Sequence, residues 1–360
     1  MGTTIEATRA PGQWRSAERV RLPRRAEAVT LVLSLWLIVG LFVDGWAHMN
    51  LAQLETFFTP WHALFYSGFT AVAGWIGWQV VRGQEAGRRG LAAVPAGYGL
   101  GIAGLAIFAA GGAGDLAWHQ VFGIEQELDA LFSPTHIMLL AGMALIVTSP
   151  LRAAWAAPDD HDADRLRTFL PVVLSLALST ALISFFLMWT SAFLDSSPVV
   201  SAARWRAEWG PYPGDGRMIE QGLTSVIITN LVLIAPLLYL IRRWLPPFGA
   251  VTVLFSFVAV LTSALVAFEM AWSIVPAVVA GLAADLLIRR VRPSTERPAA
   301  YRAVAVLVPA ILWSVYYLTL GLRDPIVWVP ELWSGTIIYA ALTGLVLAQM
   351  MLPVRARTQA

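Results

Sequence analysis

The sequence predicts an all-α, polytopic membrane protein with about ten transmembrane helices. Its 360 residues are 58% hydrophobic and only 13% charged, and the mean hydropathy is +0.65. Soluble domains carry roughly 25% charged residues, so the composition disfavours a water-soluble enzyme. Ten apolar stretches of about 20 residues, each long enough to cross a hydrocarbon core of ~30 Å, account for most of the chain.

The ten predicted spans follow one another along the chain, separated by more polar connections. They cover residues 27–47, 62–82, 94–118, 134–151, 168–194, 221–241, 248–268, 270–288, 301–320 and 333–353. The apolar run from 248 to 288 is too long for one helix. Glu269 near its middle therefore marks a predicted turn between two helices.

The arginines predict the orientation of these spans. All 25 basic residues are Arg, and an N-terminus in the cytoplasm places 21 of them on the inner side, as the positive-inside rule requires. Both termini are then cytoplasmic. The predicted regions are a cytoplasmic N-terminal segment (1–26), a tandem repeat of helical hairpins (27–151), a cytoplasmic loop (152–167), a six-helix membrane region (168–353) and a cytoplasmic tail (354–360).

The composition and the missing motifs exclude several classes of chemistry. The chain has no Cys, which removes disulfides, thiolate metal sites and iron–sulfur clusters and leaves oxygen and imidazole as metal ligands. It has no nucleotide-binding glycine loop, no HExxH zinc-protease motif and no GxSxG nucleophile motif. A net charge of +2 built from scattered arginines predicts no nucleic-acid partner.

Four of the five His residues fall in two copies of one pattern. The first copy contains Asp44, His48, Glu55, Thr59, Pro60 and His62, and the second contains Asp115, His119, Asp129, Ser133, Pro134 and His136. In each copy an Asp precedes a His by four residues, and a second acid precedes the closing His by seven. The sequence therefore predicts that spans 1 and 2 and spans 3 and 4 are repeated hairpins whose motifs face the same, outer side.

The spacing within each copy predicts a metal site. Asp and His at positions i and i+4 lie on one face of a helix, close enough to share an ion. Thr59 or Ser133 is the expected N-cap of the returning helix, with Pro at its first position and His at its third.

One carboxylate and two imidazoles then converge with open coordination positions, which is typical of a catalytic or exchangeable metal site. The predicted ligands are Asp44, His48, His62, Asp115, His119 and His136. Glu55 and Asp129 are expected either to hydrogen-bond a ligating imidazole or to bind the ion themselves. The alternative interpretation is that these groups are polar anchors at the membrane interface, or that one of the two copies no longer binds an ion.

The second copy resembles a known family. The run from Asp115 through Trp118, His119 and Gln120, followed by Ser133-Pro134-Thr135-His136, resembles the metal-binding segment of the C subunit of copper membrane monooxygenases, the particulate methane and ammonia monooxygenases. The resemblance covers about 25 residues per copy. It implies copper bound near the outer membrane surface by Asp115, His119 and His136, with Asp44, His48 and His62 as counterparts.

The chain departs from that family by its two motifs, its helix number and its longer linker between the two His residues, so the substrate does not carry over. Zinc or iron remains an alternative metal. The first functional hypothesis is that the protein oxidises, or supports oxidation of, a small apolar substrate, with other membrane subunits or a second copy as candidate partners. The alternative is metal acquisition or transport without redox catalysis. Haem ligation fits less well, because di-His haem sites need no Asp one turn away.

Three polar residues elsewhere are expected to be structural. Asn230 is predicted to make an interhelical hydrogen bond. Asp285 is predicted to pair with Arg289 and Arg290 near a helix end. His161 lies in an acidic loop and is predicted to be solvated.

Overall fold

The computed structural model describes residues 19–51, 57–123, 128–157, 165–200 and 216–353, and this part of the chain is helical with no β-strand. The helices are α1 (Arg24–Asn50), α2 (Pro60–Glu85), α3 (Gly99–Phe122), α4 (Asp129–Phe132), α5 (Pro134–Val147), α6 (Ser149–Trp155), α7 (Leu166–Phe186), α8 (Gly216–Arg243), α9 (Ala250–Ala264), α10 (Ile274–Val291), α11 (Pro298–Gly321) and α12 (Pro330–Met351). Short 3-10 turns cover Gly90–Ala93, Met188–Thr190, Ser197–Val199 and Ala271–Ser273.

Seven of the described helices are long and apolar enough to cross a membrane, namely α1, α3, α7, α8, α10, α11 and α12. Large apolar side chains such as Val32, Leu286, Leu318 and Ile338 are exposed on them. Apolar side chains that point outward from helices of this length are suited to lipid. The fold thus indicates a membrane protein whose helices contact the bilayer.

The remaining three predicted spans are helical but do not meet the same test alone. α2 is rich in Trp and Gly, α9 has only 15 residues, and α5 and α6 form a pair bent by 40°. The number of ten spans therefore stays a prediction.

The bend between α5 and α6 lies near the end of the span predicted over 134–151. Pro150 has no N–H to donate, and its ring disfavours a straight helix. Ser175 of α7 fills the break: its hydroxyl donates to the Val147 carbonyl at 2.6 Å and accepts from the Leu151 N–H at 3.2 Å. The chain continues as α6 to Trp155.

The turn predicted at Glu269 lies where the sequence placed it. α9 ends at Ala264 and α10 begins at Ile274, and the connection contains two residues with positive φ, Ala267 and Phe268. A bulky residue with positive φ cannot continue an α-helix. The long apolar run is therefore divided into two helices.

Consecutive helices pack as antiparallel pairs. α1 packs on α2, α3 on α5, α9 on α10 and α11 on α12, while α7 lies against α1, α5 and α9. Buried side chains from all of these helices form one apolar core. The C-terminal end of α1 thereby lies beside the N-terminal end of α2, and α3 and α5 have the same relation.

Two polar residues tie the second half of the bundle together. Asn230 of α8 accepts from Trp313 Nε1 at 3.0 Å and donates to Thr343 Oγ1 at 2.8 Å, as predicted for an interhelical hydrogen bond. The ion pair predicted for Asp285 is wrong. Its carboxylate is buried and accepts from the N–H groups of Val251 and Thr252, each at 3.0 Å, because it caps the otherwise unpaired start of α9.

Candidate metal centre

The first group of candidate ligands, which we call the first cluster, consists of Asp44, His48 and His62. Asp44 and His48 lie one turn apart near the end of α1, and His62 is the third residue of α2. Asp44 Oδ2 is 3.4 Å from His62 Nε2 and 3.9 Å from His48 Nε2. One candidate ligand atom from each residue lies within 4.8 Å of the other two. The three side chains therefore converge on one point.

The second cluster, formed by Asp115, His119 and His136, repeats this arrangement at the end of α3 and the start of α5. Asp115 Oδ1 is 3.2 Å from His136 Nε2 and 3.6 Å from His119 Nε2. Here too the three candidate ligand atoms lie within 4.8 Å of one another. The structure thus brings together all six residues predicted as ligands, in the two groups that the repeat predicted.

Helix capping fixes where each closing His points. Thr59 Oγ1 accepts from the His62 N–H at 3.1 Å, and Ser133 Oγ accepts from the His136 N–H at 3.3 Å. Pro60 and Pro134 occupy the first helical position in each case. The predicted N-caps are confirmed. Since each cap binds the His backbone itself, the start of the helix and the position of the His are set together.

Hydrogen bonds at Nδ1 fix which ring nitrogen faces the carboxylate. His62 Nδ1 lies 2.6 Å from the Phe57 carbonyl oxygen, and His119 Nδ1 lies 3.1 Å from the Gly123 carbonyl oxygen. A carbonyl only accepts, so Nδ1 carries the proton in both rings. In the neutral imidazole, Nε2 then turns a lone pair toward the carboxylate. Two lone pairs that face each other repel, and a cation between them, either a proton or a metal ion, would relieve this repulsion.

The separations between these atoms favour a metal ion over a proton. A hydrogen bond between N and O has its atoms roughly 2.7–3.2 Å apart. Two ligands on one tetrahedral ion, each about 2.0–2.2 Å from it, are roughly 3.3–3.5 Å apart. The four Nε2–Oδ distances run from 3.2 to 3.9 Å. Three of them exceed the hydrogen-bond range, and one of these, 3.4 Å between Asp44 and His62, equals the separation expected for two ligands of one ion.

The two clusters differ in the support given to the carboxylate. Asp115 is 1% exposed, and its oxygens accept from Thr135 Oγ1 at 3.1 Å and from Tyr66 OH at 3.3 Å. Asp44 Oδ1 is buried and has no hydrogen-bond partner among the described residues. A buried carboxylate oxygen without a donor is costly unless a cation satisfies it. A cation would therefore stabilise the first cluster more than the second, whose carboxylate already accepts two hydrogen bonds.

Phe57 and Tyr66 connect the two clusters. The Phe57 ring stacks on His62 with centroids 4.9 Å apart, and its centroid is 5.8 Å from that of His119. Tyr66 belongs to α2 but donates to Asp115 of α3. The second cluster is thus held partly by the first hairpin, and a change in one cluster can be felt by the other.

An apolar cavity of about 340 Å³ opens beside these two aromatic residues, between α2 and α3. Its wall includes Phe57, Tyr66, Phe69, Phe108 and Leu116. The Tyr66 hydroxyl joins this wall to Asp115. A cavity of this size and polarity accepts a small uncharged molecule.

Several predicted features fall outside what the structure describes. Glu55 and His161 lie outside the described residues, and Asp129 begins α4 but its side chain is not described. The roles predicted for these residues stay predictions.

Sequence reasoning missed Tyr66, Thr135 and Phe57. Tyr66 lies one helical turn after His62, on the same face of α2, and Thr135 separates the capping Pro from His136. Both positions could have been found by asking which hydroxyls share a face with the ligands.

No protein family, curated protein or solved structure matches this chain.

Proposed function

We propose that this protein is a membrane metalloprotein that binds one ion in each Asp-His-His cluster. The observation that carries the proposal is the spacing within the clusters. In each cluster three candidate donor atoms lie within 4.8 Å of one another, and three of the four distances between carboxylate and imidazole are longer than a direct hydrogen bond. Two imidazoles and one carboxylate leave open positions on an ion of this kind. A bound ion is therefore accessible to a further ligand.

Copper is our first candidate metal. The support for copper is the resemblance of both motifs to the C subunit of copper membrane monooxygenases. Zinc and iron suit the same donor set, since two His and one carboxylate are also used by zinc enzymes and by non-haem iron oxygenases. Competition between these three ions on the purified protein decides among them.

We further propose that the protein oxidises, or supports oxidation of, a small apolar molecule that enters from the bilayer. A bound redox metal would supply the oxidising chemistry. The residues of this chain would bind the ion through Nε2 and Oδ, and backbone carbonyls hold the rings of His62 and His119 by Nδ1. Phe57 and Tyr66 place the apolar cavity next to the clusters. An apolar molecule held in this cavity would lie beside the clusters.

Metal acquisition is the second candidate function. In each cluster one imidazole is partly exposed, with side-chain exposures of 28% for His48 and 21% for His136, against 8% for His62 and 5% for His119. An ion can therefore be reached from outside the protein. Uptake of radioactive copper into proteoliposomes, lost in His119→Ala, would favour this function over oxidation.

We also propose that α1–α2 and α3–α5 are copies of one hairpin, that the chain crosses the membrane ten times and that the clusters face the non-cytoplasmic side. Equivalent glycines support the repeat. Gly40 and Gly111 each precede the cluster Asp by four residues, and Gly68 and Gly142 each follow the closing His by six. An added Cβ at Gly68 would meet Leu37, and one at Gly142 would meet Phe108, which precede Asp44 and Asp115 by seven residues.

The test is metal analysis after reconstitution with copper, zinc or ferrous iron. We expect two equivalents in the wild type and none in the double variant His62→Ala/His136→Ala. His161→Ala is the matched control, since it removes the one His outside both motifs, and it should keep two equivalents. A wild-type protein that gains no ion would overturn the proposal.

A further inference from the structure

A second cavity lies at the opposite end of the first hairpin from its metal cluster. It has a volume of about 440 Å³ and is enclosed by the start of α1, the end of α2 and the segment up to Pro95. Asp44, His48 and His62 lie at the other end of the same two helices. The cavity lining therefore contains none of the candidate metal ligands.

The polar part of its lining is cationic. Four arginines line the cavity, Arg21, Arg25, Arg82 and Arg88, and the described lining contains no Asp or Glu. Glu27 on α1 is directed elsewhere, since its carboxylate accepts from Tyr98 OH at 2.6 Å. Arg21 uses one nitrogen on the Ala156 carbonyl at 3.1 Å and keeps its other donors. The lining therefore selects an anion.

Gln79 adds a buried donor to the same lining. The residue is 8% exposed, and its Nε2 has no hydrogen-bond partner among the described residues. A buried amide without a partner destabilises the folded protein. A ligand that brings an oxygen acceptor into the cavity would satisfy it.

The rest of the lining is apolar and continues out of the cavity. Trp75, Trp78 and Val29 line it. From Val29, the exposed side chains of Val32 and Trp36 follow at helical spacing along the outer face of α1. Exposed Trp and Val on a spanning helix are suited to acyl chains. The cationic lining is thus adjacent to the apolar face of α1, as required to bind an amphiphile that has an anionic head group and acyl chains.

We propose that this cavity binds the head group of an anionic phospholipid. The phosphate lies among the arginines and takes a hydrogen bond from Gln79, while the acyl chains follow Val29, Val32 and Trp36. Arginine binds phosphate through paired, charge-assisted hydrogen bonds. A free phosphate would contact the same arginines but has no acyl chains to contact Val29, Val32 and Trp36.

The test compares three additives on the purified protein in neutral detergent: phosphatidylglycerol, phosphatidylcholine and inorganic phosphate. Binding is measured by native mass spectrometry for the lipids and by thermal unfolding for all three. We expect phosphatidylglycerol to bind at least about tenfold more tightly than phosphatidylcholine, since each arginine near an anionic lipid contributes about 1 kcal/mol. Inorganic phosphate should not shift the unfolding temperature at the same concentration.

Two variants locate the effect. Arg82→Gln/Arg88→Gln should lose the preference for phosphatidylglycerol, whereas the control Arg165→Gln/Arg290→Gln, which removes two exposed arginines that do not line the cavity, should keep it. Gln79→Leu should also weaken phosphatidylglycerol binding without destabilising the lipid-free protein. Equal binding of both lipids, equal protection by phosphate, or equal loss in the control would overturn the proposal.

Discussion

The two clusters use the same three ligand types at equivalent positions, yet their surroundings differ. In the second cluster Asp115 accepts from Tyr66 and Thr135, and His136 Nδ1 lies 2.8 Å from Ser133 Oγ. In the first cluster Asp44 Oδ1 has no partner among the described residues. Hydrogen bonds to a ligand fix its orientation before the ion arrives. We infer that the second cluster is preorganised and that the first is ordered by its ion.

The largest expected effect comes from removing one closing His at a time. His62→Ala and His136→Ala should each lose one of two metal equivalents, because each ring lies close to the carboxylate of its own cluster, at 3.4 or 3.2 Å. The remaining sites should differ: the second cluster, left in His62→Ala, should bind about 10–100-fold more tightly than the first. Metal titration of both apo variants measures this.

Loss of both equivalents in either single variant would show one joint centre rather than two sites. Equal affinities of the two remaining sites would contradict the inference that only the second cluster is preorganised.

Substitution of the interhelical glycines tests whether the two hairpins are equivalent. An added Cβ would lie 2.8 Å from Leu37 Cα in Gly68→Ala and 2.7 Å from Phe108 Cβ in Gly142→Ala. Both changes should lower the free energy of unfolding by about 1–3 kcal/mol, since packed helices cannot absorb an added methyl. Unfolding in detergent measures the loss.

Gly77→Ala in α2 is the control, because a Cβ there has nothing within 4 Å. It should be neutral or stabilise by up to about 1 kcal/mol. A large loss in only one of the two hairpins would contradict their equivalence.

Tyr66→Phe removes a donor from Asp115 while leaving the ring in place. We expect affinity at the second cluster to fall by about tenfold and affinity at the first to stay unchanged, because outer hydrogen bonds typically contribute that much to metal binding. The variant is titrated in the His62→Ala and His136→Ala backgrounds. Tyr317→Phe, whose hydroxyl contacts Thr336 at 2.9 Å in the second half of the bundle, is the matched control. An equal fall at both clusters would mean that Tyr66 acts on the fold rather than on Asp115.

The parts of this structure that the sequence predicted well are those set by local spacing. Asp and His one turn apart, and a cap followed by Pro and His, are fixed by helix geometry, so the ligand groups followed from the chain alone. The break at Glu269 followed from the length of an apolar run.

Contacts between distant segments could not be predicted in this way. Tyr66 reaches Asp115 only because α2 packs beside α3, and Asp285 caps α9 only because α10 folds back on it. Ser175 fills the break after α5 from a different helix. A single sequence shows which groups need partners and does not show which neighbour supplies them.

The smallest expected effect separates capping from ligand support. Thr59→Ala and Ser133→Ala should each lower the free energy of unfolding by about 1 kcal/mol, because each removes the acceptor of a His backbone N–H. Only Ser133→Ala should also weaken metal binding, since Ser133 Oγ contacts His136 Nδ1, whereas His62 Nδ1 is held by the Phe57 carbonyl. Chemical unfolding and metal titration of the same two proteins measure both effects. If Thr59→Ala weakened metal binding as much, the caps would act through helix position alone, and the greater preorganisation of the second cluster would rest on Tyr66 and Thr135.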